Sequence, residues 1–357
     1  MGALTRGFGL RTPAPVVLHS APCVLPVCAP PVRDGGVAIR GERVLQVGSR
    51  ADLLAYFPVE DEIRWPGLIS PGLVDACRTG PPVPGVTSAA DLGDRRGPGG
   101  VTYLEVEGAG EQVWEDSERD ALITAIREHP GTVGVAAYAS DPLVLEDLAV
   151  LARTFGLRLM ADLGRHSPAE LDEAGVLGQH CHVTGEAPLG PGERKLLRLR
   201  GTTLALFGGD ASALVEEGCA IAFGGPPLAT ARAVRQATRM RRLERVLVEA
   251  ATLGGARALG MADGPGRIGT LGPGSRADLA VFDTRGGRDP YAALLEQPPC
   301  LATVVRGVPV TRAGGRAGRT EPGRAGQATP GRTDQATPRR TDQATPGRVH
   351  PEQEQAG

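Results

Sequence analysis

Apolar and polar residues alternate with a period of two near the start of the chain, and the period lengthens after about residue 70. Val37-Ala38-Ile39-Arg40, then Gly41-Glu42-Arg43, then Val44-Leu45-Gln46-Val47-Gly48 reads as two strands joined by a tight turn. A short helix, Arg50–Tyr56, and a strand at 62–65 follow. From residue 71 to about 260, apolar runs at 101–107, 134–138, 157–163, 179–183, 202–207 and 220–223 alternate with helical patterns. One helix is expected over 117–128, with Ser117 as N-cap and Asp120 three residues on. Asp141-Pro142 opens another that Gly156 closes, and Leu145, Leu148, Leu151, Ala152 and Phe155 line one face of it. Ser167-Pro168, with Glu170 at the third helical position and Gly175 as the stop, marks a third. Helices are also expected at 191–200, 230–241 and 243–259.

Repeated βα units with short connections give parallel strands with helices packed outside them. With residues 68–76 the strands number about seven, whereas a closed barrel has eight. The expected fold is α/β, a TIM-like (β/α) barrel one strand short unless residues 85–92 supply the eighth. An open doubly wound sheet is the alternative. Strand character returns at 264–310, with a hairpin about Arg306-Gly307. Residues 16–70 and 264–312 therefore form a composite β-sandwich domain, the barrel at 71–263 is inserted in it, and 1–15 is an N-terminal extension. From 313 to 357 an eight-residue unit drifts through GRAGQATP, GRTDQATP and RRTDQATP. It lacks large apolar groups apart from Val349, so burial cannot offset its ordering entropy and a disordered tail is expected.

Composition narrows the function classes. A net charge of −2 gives no field to gather nucleic acid or an acidic membrane. Lys195 is the only lysine, an imbalance that fits GC-rich coding. Six cysteines without regular spacing make no disulfide framework, and Cys23 and Cys28 lack the second pair of a zinc ribbon. Arg6 and Arg11 precede an apolar run at 16–29, but Pro22, Pro26 and Pro30 interrupt it, and a strand is the better reading than a leader. No stretch reaches the ~18 apolar residues of a membrane span. A soluble cytoplasmic protein is expected, with a small-molecule ligand or a protein partner, no membrane and no nucleic acid; oligomerisation stays open.

Three segments carry a resemblance. Residues 36–47 lead into PGLVDACRT at 71–79; AATLGGARALGM spans 250–261; RIGTLGPGSRADLAVFD spans 267–283. They are similar to the amidohydrolase superfamily, in particular its imidazolonepropionase-like and chlorohydrolase/deaminase-like members. The resemblance implies a (β/α) barrel with a composite β-sandwich and a metal-dependent hydrolase of non-peptide C–N bonds. In that family a divalent metal such as zinc lowers the pKa of bound water, and its ligands sit at the C-terminal ends of barrel strands. Followed onto this chain, the strand-1 histidine pair falls on Cys77 and Thr79. The mid-barrel histidine and glutamate fall on Asp162 and Arg165, the next histidine on His180 or His182, and the last aspartate on Pro226.

Two readings follow. In the first the metal site is lost, no cofactor is expected, and a pseudoenzyme binds a small molecule or a partner. In the second Cys77, Asp162, His180 and His182 rebuild a metal site for C–N hydrolysis. The candidate catalytic residues are Asp162 and His182, the candidate substrate-binding residues Glu107, Arg165 and His180, and the metal ligands, if a metal binds, Cys77, Asp162 and His182. His180 and His182 share a strand face by spacing, as do Glu105 and Glu107. Interior glutamates are costly unless paired, which points Glu105 and Glu107 toward a role. Gly224-Gly225-Pro226-Pro227 lacks the Lys-Ser/Thr of a phosphate loop and reads as a turn.

Overall fold

A computed structural model describes residues 14–93, 99–108, 110–186, 188–284, 289–312 and 318–319. Two sheets organise them. Eight parallel strands run in sequence order: β6 (Leu73–Asp75), β7 (Val86–Leu92), β8 (Gly100–Val106), β9 (Val133–Ala137), β10 (Arg158–Asp162), β11 (Cys181–Gly185), β12 (Thr203–Leu206) and β13 (Ile221–Phe223). The ends meet: Ala76 N donates to Phe223 O at 2.8 Å and Gly225 N to Cys77 O at 3.0 Å. The sheet therefore curls into a nearly closed barrel, and the open-sheet alternative is excluded. Residues 86–92 are the eighth strand, so none is missing.

The second sheet joins both ends of the chain. β1 (Val16–Val24), β2 (Val32–Arg40), β3 (Arg43–Ser49), β4 (Val59–Arg64) and β5 (Leu68–Pro71) combine with β14 (Leu279–Phe282), β15 (Cys300–Val305), β16 (Val308–Arg312) and β17 (Gly318–Arg319). β14 pairs antiparallel with β5 and joins the two halves. β17 lies in the segment expected to be disordered. Its Gly318 and Arg319 pair antiparallel with Arg64 and Ile63 of β4, and backbone pairing of this kind needs no apolar residue. The rest of 313–357, and residues 1–13, lie outside the described residues.

Local chemistry explains most element boundaries. Asp141 accepts from Leu143 N at the start of helix Pro142–Phe155, and Gly156 ends it at φ +65°. Ser167 and Glu170 form a reciprocal capping box on helix Pro168–Glu173. The helix expected from Ser117 begins earlier. Asp141 accepts from Glu111 N at 3.0 Å, and helical structure runs from Glu111 through a wide turn, Trp114–Glu118, to Glu128. Ser117 sits inside that turn and its hydroxyl returns to Val113 O.

Helices follow β8 through β13, but among the described residues none follows β6 or β7. The β14 side of the second sheet packs there instead. Gly72 N donates to Asp278 O, Gly85 N to Thr303 Oγ1 and Arg276 Nη2 to Ser88 Oγ, and Phe282, Leu25 and Leu68 share a core with Leu73 and Val86. The helix Glu244–Glu249, continuing through Ala250–Gly254 to Gly255–Ala258, lies on β6 and β13. A Cβ on Gly254 would stand 2.2 Å from Ile221 O, and one on Gly255 would stand 2.7 Å from Val74 Cβ. The Gly-Gly of AATLGGARALGM is thus a helix–barrel contact that admits no side chain.

Candidate functional site

The C-terminal strand ends gather one polar cluster. Cys77 follows β6, Glu105 and Glu107 lie at the end of β8, Tyr138 follows β9, and Asp162 ends β10. The Arg165 guanidinium lies 4.7 Å from the centre of the Tyr138 ring, and its Nη1 is 2.5 Å from Glu107 Oε1. The hydrogen bond to Glu107 raises the Arg165 pKa further. Burial pushes the Tyr138 phenol well above its ordinary range, and nearby Cys77, Asp162 and Glu105 add to the shift. Glu105 and Glu107 are exposed at the rim, so neither bears the burial cost expected of an interior carboxylate.

Asp162 is committed to local structure. Its carboxylate accepts from Gly164 N at 3.0 Å and Thr184 Oγ1 at 3.4 Å, and its carbonyl accepts from Arg165 N and His166 N. It ties the turn that presents Arg165. Three candidates, Asp162, Arg165 and Glu107, therefore meet at this mouth with Cys77 close by.

The two histidines do not join them. β11 begins at Cys181, and His180 lies in the preceding turn with its carbonyl bonded to Leu159 N near the start of β10. That is the opposite end of the barrel from Asp162, roughly 10 Å or more along the strand at ~3.3 Å per residue. His180 and His182 share no strand face, because only His182 is in the strand. His182 pairs with Met160 and lies two residues below the Thr184–Asp162 level, fully buried inside the barrel. Its Nε2 is 2.9 Å from Ala76 O, and its Nδ1 is 3.5 Å from Tyr103 Oη, with the two rings edge to face. Burial pushes its pKa down to about 3, so it is a neutral imidazole. The carbonyl needs a donor, so Nε2 carries the proton and Nδ1 faces the phenol hydroxyl.

Sequence reasoning missed Asp75. It ends β6, lies buried, and accepts from Cys77 N at 3.1 Å. Burial raises its pKa to about 7, against the opposing hydrogen bonds from Cys77 and Gly225 backbone. Its place inside PGLVDACRT was the available signal. A buried ion pair, Arg78 Nε to Asp91 Oδ1 at 2.5 Å, lies next to it between β6 and β7.

A hydrolytic metal needs three or so deprotonated donors about 2.0–2.3 Å from one point. Among the described residues no three His, Cys, Asp or Glu side chains are so placed. His180 is at the far end, the Nε2 of His182 is bonded to a carbonyl, and β13 is followed by Gly224, Gly225 and Pro226, which bring no side-chain donor. The residues present do not fit the metal centre that the resemblance implies.

The fold recurs in solved enzymes. A Xanthomonas campestris adenosine deaminase with bound zinc superposes with a TM-score of 0.66 at 17% identity, covering 84% of this chain and 93% of that one. E. coli guanine deaminase gives 0.64 at 15% identity, over 84% and 99%. The atrazine chlorohydrolase of Arthrobacter aurescens complexed with zinc gives 0.65 at 15%, over 83% and 95%. No protein-family model matches the chain, and no curated protein matches it in sequence. The architecture is that of these deaminases and hydrolases, as the three sequence segments led one to expect. No helix among the described residues is long and apolar enough to cross a membrane.

Proposed function

We propose that this chain is a divergent, imidazolonepropionase-like member of the amidohydrolase superfamily that has lost C–N hydrolysis and binds a small polar molecule at the barrel mouth. The observation that carries this reading is His182. Its Nε2–H is held by Ala76 O, and a fully buried, neutral imidazole so placed has no nitrogen turned to the mouth. Burial raises the Tyr138 pKa, which disfavours a phenolate base near neutral pH, and Asp162 is occupied by its turn. What remains exposed is the Arg165–Glu107 pair over Tyr138. An exposed ion pair of this kind is worth at most ~1 kcal/mol, so a ligand carboxylate or amide edge can displace Glu107 from the guanidinium at little cost. A cytoplasmic setting, and a protein partner or second subunit at the same mouth, remain part of this proposal.

Zinc in the similar deaminase and chlorohydrolase supports the competing reading, a working metal hydrolase. Elemental analysis decides between them. Protein purified without chelator, and again after incubation with zinc, should carry far less than one equivalent and should not turn over cyclic amides, aminopurines or chlorotriazines. Stoichiometric metal that disappears in Cys77→Ser or His182→Ala, together with turnover of any of these compounds, would establish the hydrolase instead.

A further inference from the structure

The N-terminal end of the barrel, away from the mouth, holds a cavity of about 500 Å³. Its wall includes Arg158, Gln179, His180, Thr203, Arg257 and Asp263. Arg158 opens β10. Its Nη1 donates to Gln179 O, and its Nη2 donates to Ala258 O at 2.7 Å and Arg257 O at 3.2 Å. The last two are terminal carbonyls of the helix that ends at Ala258, where a cation is favourable. This accounts for the position of Arg158 but not for its charge. Among the described residues, neither Arg158 nor Arg257 has a carboxylate partner at ion-pair distance. Arg158 Nε and His180 Nε2 are shielded from solvent and have no hydrogen-bond partner there either.

Buried polar atoms in folded proteins are satisfied as a rule, and a partly buried cation without a counter-charge is costly. The half-buried Arg158, the exposed Arg257 and the two unpartnered nitrogens border one cavity, and an acceptor-rich anion would serve all of them. Asp263, the one carboxylate in the wall, is exposed and leaves the lining net positive.

We propose that this cavity is a second ligand site, for a small oxyanion of the phosphate class, either free phosphate or the phosphate group of a larger metabolite. Its oxygens accept from Arg257 and from the Arg158–His180 wall. The site is independent of the mouth and does not depend on whether the chain hydrolyses anything.

The test is titration of the full chain with inorganic phosphate, glycerol 3-phosphate, acetate and chloride at constant ionic strength, read by calorimetry and thermal shift. Saturable phosphate binding is expected, weakened at least ~tenfold by Arg257→Ala or His180→Ala, in line with the loss of one charge-assisted hydrogen bond. Asp263→Asn should tighten it, and Arg165→Ala, at the opposite end, should leave it unchanged. Arg257 is exposed, so its replacement leaves the core intact. Tighter binding of glycerol 3-phosphate than of phosphate identifies a metabolite as the ligand; equal binding identifies the free ion. The proposal is overturned by a response that chloride matches, by the absence of saturation up to about 10 mM, or by phosphate binding that Arg257→Ala and His180→Ala do not weaken.

Discussion

Asp75 and His182 place two opposed titrations inside one barrel. The folded pKa of Asp75 is raised from 3.8 to about 7, so the folded state holds a proton that the unfolded chain has released, and stability falls as pH rises through that window. The folded pKa of His182 is lowered from 6.5 to about 3, so its contribution is present above 6.5 and is lost as pH falls toward 3. Between about pH 4 and 6.5 the two slopes have opposite signs. Asp75→Asn removes one of them. The variant should gain stability relative to the parent as pH rises from 4 to 8, and should itself be more acid-sensitive than the parent. Parallel curves of thermal midpoint against pH would show that Asp75 is ionised in the fold. At this scale the sequence was informative about strand ends, and Cys77, Glu107, Asp162 and Arg165 do gather at the mouth. It was uninformative about depth: alternation says which residues could share a face, but not that β11 starts at Cys181 and leaves His180 in a turn.

Elements were legible where a local rule decides them. The Ser167–Glu170 box, the Asp141 cap and Gly156 were readable because capping is settled within four residues. Ser167→Ala should cost about 1 kcal/mol in a urea melt. The eighth strand was hard to read because β7 is VTSAADL, with polar residues on both of its faces. They meet charge: Ser88 accepts from Arg276, and Asp91, on the opposite face, accepts from Arg78. The polar pattern is correct for its surroundings, and the partner of Ser88 is almost two hundred positions away. The paired glycines Gly254 and Gly255 were noted as a motif, and the structure supplies their reason. Gly254→Ala should lower stability by about 3 kcal/mol or more, since the added methyl would drive against Ile221 O, whereas an alanine at exposed Gly192 meets nothing within 4 Å and should be close to neutral. Equal melting temperatures for the two variants would refute the close helix–barrel contact.

On the scale of the whole molecule, the second sheet packs where the helices after β6 and β7 would be, and it shares the cover of β6 with the helix over 244–258. Differential scanning calorimetry should show one transition for residues 14–312; two separable transitions would mean that the sheet and the barrel unfold independently. Removing residues 321–357, whose repeats offer no apolar surface, should leave that transition in place. The pairing of β5 with β14 also has a consequence for synthesis. Ser70 and Ala280 are neighbours in the sheet but 210 residues apart in the chain. At about 5–20 residues per second, β5 waits on the order of 10–40 s on the ribosome before its partner exists. Through that interval β5 presents one edge unpaired and an apolar face uncovered, the condition under which nascent strands find wrong neighbours. Chains stalled before residue 279 should therefore be cut readily within 16–71 by a protease and recruit chaperones, and chains stalled after the β15–β16 hairpin has emerged should do neither.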